Sequence, residues 1–147
     1  MDVEDDAGKK FAEYIKLQLF DERYLSRERE KKILAEGVTR FELALEDTRA
    51  ILLGVAAELD LIFEKDVEKL IREIMQAFAS SDGYIGCSEF HHAVQIYKQL
   101  SSGYVGEGEA KRRLKQMMLD NDWKPRRQGL TILNAIGTRK WFSDIQS

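Results

Sequence analysis

One proline in 147 residues, Pro125, is the strongest constraint on what this chain can fold into. Proline lacks an amide donor and blocks helix interiors, so a chain free of it from residue 1 to 124 can carry long uninterrupted helices. Sheets joined by many tight turns use more of it. With 44% apolar and 33% charged residues, the composition is that of amphipathic helices around a core. A chain of this length buries roughly two-thirds of the surface its unfolded form exposes, enough for stability without a disulfide or metal. The expected fold is all-α: a single compact bundle of six or seven helices over residues 1–147. Residues 1–6 are expected to be disordered, and residues 122–147 to form a basic, aromatic C-terminal extension packed on the domain.

Hydrophobic spacing predicts where the helices lie. Phe11, Tyr14, Ile15 and Leu19 predict a first helix over residues 7–20. Ser26 reads as the N-cap of a second stretch ending at Gly37, giving two short helices or one bent long one. Thr39-Arg-Phe-Glu42 reads as a capping box that opens a central helix. Its stripe is Phe41, Leu45, Thr48, Leu52, Val55 and Leu59, with Gly54 allowing a neighbour to approach. Val67, Leu70, Ile71, Ile74, Met75 and Phe78 mark the next helix. Ser88 is the expected cap of one carrying Phe90, Ala93, Val94, Tyr97 and Leu100. A further helix carries Ala110, Leu114, Met117 and Met118, stopping at Asn121-Asp122. Pro125 stands near the first turn of a possible last helix over Leu130, Ile132, Leu133 and Ile136; Thr131 and Ile132 between Gly129 and Gly137 keep a strand open.

A phrase appears twice, Ser81-Asp-Gly-Tyr-Ile-Gly-Cys-Ser-Glu-Phe90 and Ser101-Ser-Gly-Tyr-Val-Gly-Glu-Gly-Glu-Ala110. The first copy has the Asp-Gly-x-Ile-x-x-x-Glu rhythm of a calcium loop. Such a loop needs oxygen ligands at positions 1, 3, 5, 7 and 9, glycine at 6 and glutamate at 12. With Gly83 at position 6, Phe78 takes position 1, so the first carboxylate is missing. Asp82 and Glu89 remain as candidate ligands for a divalent cation, with Ser80 and one carbonyl. The second copy places Lys98 and Leu100 at positions 1 and 3 and has no calcium site. The shared grammar is that of a helix entrance: glycine for positive φ, Tyr and Ile or Val tucked into the core, then a carboxylate facing the positive helix end.

This loop between two amphipathic helices, over Ala77 to Phe90, resembles the tellurite-resistance B (TerB-like) family, and residues 39–120 share its helix rhythm. The resemblance implies a TerB-like helical fold, occurrence beside J-domains in co-chaperones, and divalent-metal binding by acidic residues near the loop. The matching positions are Asp82 and Glu89. Glu46-Asp47 is the nearest candidate for the acidic motif of the earlier helix.

Catalytic chemistry is hard to assemble from the remaining residues. Cys87 and His91 are four apart on a helix, but zinc needs two further ligands and His92 points about 100° away. A Cys87 thiolate with His91 or His92 as base is drawable, yet such partners usually come from distant parts of a fold. No phosphate-cradling glycine loop or metalloprotease helix appears. The chain therefore reads as a non-enzyme.

Charge is uneven: residues 1–106 carry 14 basic and 21 acidic side chains, residues 107–147 carry 9 basic and 5 acidic. In the basic part, Lys111-Arg-Arg-Leu-Lys115, Trp123-Lys-Pro-Arg-Arg127 and Arg139-Lys-Trp-Phe142 interleave cations with aromatics. That footprint suits an acidic protein surface, and after it nucleic-acid phosphates with base stacking. Lys124, Arg126, Arg127, Arg139, Lys140 and Trp141 are the candidate partner-binding residues. The expected function is a non-enzymatic adaptor or co-chaperone-like accessory in a stress-related assembly. The alternatives are a divalent-metal-binding stress protein and a nucleic-acid binder using the basic C-terminal region. One cysteine and an acidic start, unlike a basic leader, lead us to expect the cytoplasm. The longest apolar run, Ala50 to Ala57, is far short of the about twenty residues a spanning helix needs, so no membrane insertion is expected.

Overall fold

A computed structural model describes residues 3–128 and 138–146. Seven helices lie among the described residues: α1 (Val3–Leu19), α2 (Arg27–Thr39), α3 (Leu45–Leu59), α4 (Glu64–Ala79), α5 (Cys87–Leu100), α6 (Glu107–Asp120) and α7 (Lys140–Ser143). Four two-residue strands complete the list: β1 (Tyr24–Leu25), β2 (Ile62–Phe63), β3 (Tyr84–Ile85) and β4 (Lys124–Pro125). The fold is all-α, as the proline-poor sequence predicts. The chain separates into two compact units, Met1–Asp66 and Val67–Ser147. The expected last helix over Leu130, Ile132, Leu133 and Ile136, and the alternative strand at Thr131 and Ile132, lie outside the described residues.

In the N-terminal unit α3 packs against both α1 and α2. Phe11, Ile15 and Leu19 of α1, Ile33 of α2, and Leu52, Val55 and Ala56 of α3 close the core with Leu25 and Phe63. β1 and β2 pair in parallel, Tyr24 with Ile62 and Leu25 with Phe63. Parallel pairing needs a crossover between the strands, here the α2–α3 pair. Ser26 caps α2 by accepting from the Arg29 N–H at 3.2 Å. A carboxylate serves the same helix end, since Glu64 Oε2 accepts from the Arg27 N–H at 2.5 Å.

The C-terminal unit repeats the order: helix α4, strand β3, the α5–α6 pair, then strand β4. Its core is Val67, Ile71, Met75, Ala79, Ile85, Phe90, Ala93, Val94, Tyr97, Val105, Ala110, Leu114 and Met118. β3 pairs with β4 in parallel, Tyr84 with Lys124 and Ile85 with Pro125. The stops of α3 and α6 match as well. Asp60 (φ 54°) and Asp122 (φ 56°) both turn left-handed. The following amides return into the helix, Leu61 N–H to Ala56 O and Trp123 N–H to Met118 O, each at 2.9 Å. These are helix stops in which a left-handed residue lets an amide reach back to an otherwise orphaned carbonyl. The equivalent of Tyr84-Ile85 is thus Tyr24-Leu25, not the second copy of the repeated phrase. That second copy is the α5–α6 connector, where Gly103 takes φ 80°.

Several local expectations need correction. Thr39 opens no helix: it closes α2, its hydroxyl donating to Ala35 O at 2.7 Å, and α3 starts after Ala44. The intervening Glu42 sits at φ 56°, which interrupts the helix that a capping box would have begun. Gly37 does not end α2 either; it lies inside the helix and is buried. A Cβ there would fall 2.4 Å from Thr48 Cγ2 and 2.8 Å from Phe11 Cζ, so it is Gly37, not Gly54, that permits close packing. Leu45 and Leu70 belong to the predicted stripes yet are exposed. Ser88 does not cap α5; Gly86 does, and Glu89 reaches back to its N–H at 2.9 Å. Pro125 starts no helix, because it is the buried residue of β4.

Candidate functional site

Strand alternation builds the face on which the predicted partner residues meet. Gly83 at φ 77° turns the chain out of α4. Asp82 Oδ1 secures the turn by accepting from the Tyr84 N–H at 3.0 Å. In β3 Ile85 is buried, so its neighbour Tyr84 faces outward and is only half buried. The paired segment alternates likewise: Pro125 is buried, and Lys124 and Arg126 are exposed. Amides of Lys124 and Arg126 donate to Gly83 O and Ile85 O, both at 2.8 Å, fixing Arg126 beside Tyr84.

A second connection brings the rest of the cluster back. Gln128 and Thr138 exchange N–H···O bonds at 2.8 Å in an antiparallel bridge, returning the chain alongside itself. Arg126 and Arg139 consequently both lie over Tyr84, each guanidinium carbon 5.8 Å from the ring centroid. Trp141 then donates its indole N–H to Arg126 O at 2.9 Å. Its ring packs 5.3 Å from that of Phe90 and 5.8 Å from that of Phe142. Arg127 and Lys140 are exposed on the same segments.

Two of the face's cations are paired with nearby aspartates. Arg126 Nη2 donates to Asp82 Oδ2 at 2.9 Å, and Lys124 Nζ lies 2.7 Å from Asp122 Oδ1. The Tyr84 amide and then Arg126 hold the Asp82 carboxyl below the usual aspartate range, because both interactions favour the charged form. The run Lys111–Lys115 is spent mainly inside the unit. Arg113 contacts Glu109 at 2.8 Å, Glu68 at 3.7 Å and the Tyr97 hydroxyl at 3.1 Å. Lys115 donates to Ile145 O at 2.7 Å and stands 5.1 Å from the Phe142 ring centroid. Arg112, then Arg113, hold the Glu109 carboxyl low.

The expected metal ligands are occupied by protein donors. Asp82 serves Tyr84 and Arg126, and Glu89 serves the Gly86 amide. Glu46 and Asp47 stand exposed in the first turn of α3. His91 and His92 are both exposed, while Cys87 is half buried. Among the described residues no group of three or more His, Cys, Asp or Glu side chains is placed to hold an ion. Also among the described residues, no helix is long and apolar enough to cross a membrane.

The sequence reading missed Tyr84, which it placed in the core together with Tyr104. Ile85 and Val105 are buried there, whereas Tyr84 is half buried and Tyr104 is 51% exposed. For Tyr84-Ile85 the signal available was alternation: two adjacent strand residues cannot both face the core. Comparison with protein-family models, curated proteins and solved structures finds no match for this chain.

Proposed function

We propose that this chain is a non-enzymatic interaction module that docks an acidic protein surface through the Tyr84 face. The carrying observation is the convergence of Arg126 and Arg139, thirteen positions apart in the chain, on one half-buried tyrosine ring, with Trp141 fixing the Arg126 backbone. Cations spread at random over a solvated surface have no reason to share an aromatic ledge. Arg127 and Lys140 extend the positive field around it. In the fuller reading the module is a cytoplasmic adaptor or co-chaperone-like accessory of a stress-related assembly, a role suggested by the resemblance to TerB-like domains. The test is to compare what co-purifies with the natural chain and with an Arg126→Glu/Arg127→Glu/Arg139→Glu variant of equal thermal stability. Loss of a specific partner is the expected outcome. Retention of every partner would overturn the assignment.

A further inference from the structure

The Asp82–Arg126 pair carries an inference that rests on this reading. The Arg126 backbone is fixed through its amide to Ile85 O and its carbonyl to the Trp141 indole, so the place of this residue on the face is set apart from the carboxylate, and its guanidinium also lies over the Tyr84 ring. The pair itself is half exposed, with 51% of the Arg126 side chain and 43% of the Asp82 side chain open to solvent. Exposed ion pairs contribute little to stability and exchange partners readily. A guanidinium fork is also shaped to bind a carboxylate through two parallel N–H groups. We propose that the occupant of this face is an acidic peptide segment, and that Asp82 is its intramolecular competitor, holding Arg126 until a glutamate or aspartate of the partner replaces it.

Charge distribution favours a peptide over a nucleic acid. A phosphate backbone needs a continuous positive track, and affinity grows with each cation it meets. Here Asp82 and Asp122 interrupt the track, each neutralising one cation. What remains is a short positive ledge around Tyr84, the length of a few side chains, matched to a local cluster of carboxylates. Arg139, stacked over the same ring, supplies the second cation of the ledge.

The experiment uses fluorescein-labelled hexaglutamate at low salt, with binding read by anisotropy on the full chain. Asp82→Asn keeps an oxygen for the Tyr84 amide but removes the competing charge, and it is expected to tighten peptide binding about two- to five-fold. Arg139→Glu is expected to weaken it at least about ten-fold. Lys32→Glu, the same charge change at an exposed side chain of α2, is expected to leave it unchanged. Binding that is lost in Arg139→Glu but unaltered in Asp82→Asn overturns the competitor alone. Equal loss in Arg139→Glu and Lys32→Glu, or no binding to any form, overturns the docking face as well. Tighter binding of a mixed-sequence single-stranded oligonucleotide of equal charge overturns the choice of a peptide.

Discussion

Gly37 faces Thr48 across the contact between α2 and α3, so closely that a Cβ on the glycine would lie 2.4 Å from the threonine methyl. Thr48 is fully buried, and its hydroxyl already donates to Ala44 O at 2.9 Å. It has nowhere to withdraw. Gly37→Ala should therefore destabilise the chain by about 1–3 kcal/mol through overpacking. Gly54→Ala, with no atom within 4 Å of the new methyl, should stabilise it by roughly 0.5–1 kcal/mol. Urea titration of both variants checks the pair, and equal effects would remove the packing argument.

Ser26 and Ser88 look alike in sequence but should behave differently. Ser26 accepts from the Arg29 amide at the start of α2, so Ser26→Ala should cost about 1 kcal/mol. Ser88 lies exposed one residue inside α5, whose cap is Gly86. Its replacement by alanine should leave the melting midpoint nearly unchanged. A larger loss at Ser88 than at Ser26 would contradict the assigned caps.

Within α6, Leu114 is fully buried while Leu119 is 54% exposed. Truncation of a buried leucine removes both its transfer energy and its packing partners, so Leu114→Ala should cost about 2–5 kcal/mol. Leu119→Ala should cost less than about 0.5 kcal/mol, as surface substitutions usually do. Thermal melts of the two variants decide it, and comparable losses would mean that the α6 face is wrongly assigned.

Asp82 sets a pH dependence whose sign is fixed. Its carboxyl is held below the usual range in the folded chain by the Tyr84 amide and Arg126. The unfolded chain therefore takes up the proton first as pH falls, and the stabilisation is present at neutral pH and lost on passing down through the folded pKa. The stability gap between the natural chain and Asp82→Asn should be largest near pH 7 and shrink on acidification. A gap that widens toward acid would reverse the assignment.

Adding millimolar calcium or magnesium should leave the melting temperature unchanged. A ligand that binds only the folded state must raise it, and a cation entering the α4–α5 loop would have to take Asp82 from Arg126 and Glu89 from the Gly86 amide. A clear upward shift that disappears in Asp82→Asn would restore the metal-binding alternative.

Much of the helical fold was legible in the sequence because period and punctuation are local. The stripes through Phe11 and Ile15, Ile71 and Met75, and Ala110 and Leu114 identify their buried faces correctly. Ser26 is the expected cap, and Asn121 the expected stop. Thr39-Arg-Phe-Glu42 failed for a tertiary reason. Phe41 packs 5.2 Å from Phe11 and 5.3 Å from Tyr14 by ring centroids, holding the segment as a connector, and Glu42 turns left-handed beyond it. The packed ring competes with the local cap and wins.

The basic and aromatic residues of the candidate face could be named from the sequence, but their relations could not. Residues 82 and 84, residue 126, and residues 139 and 141 come from three separate stretches of the chain. Their meeting depends on the Tyr84–Lys124 register and the Gln128–Thr138 bridge. What the sequence by itself determined was local: an all-α chain, which helix faces are buried, and an excess of cations toward its end. Only the tertiary structure decided that Asp82 meets Arg126, 44 residues away, because backbone pairing between remote strands sets which side chains become neighbours.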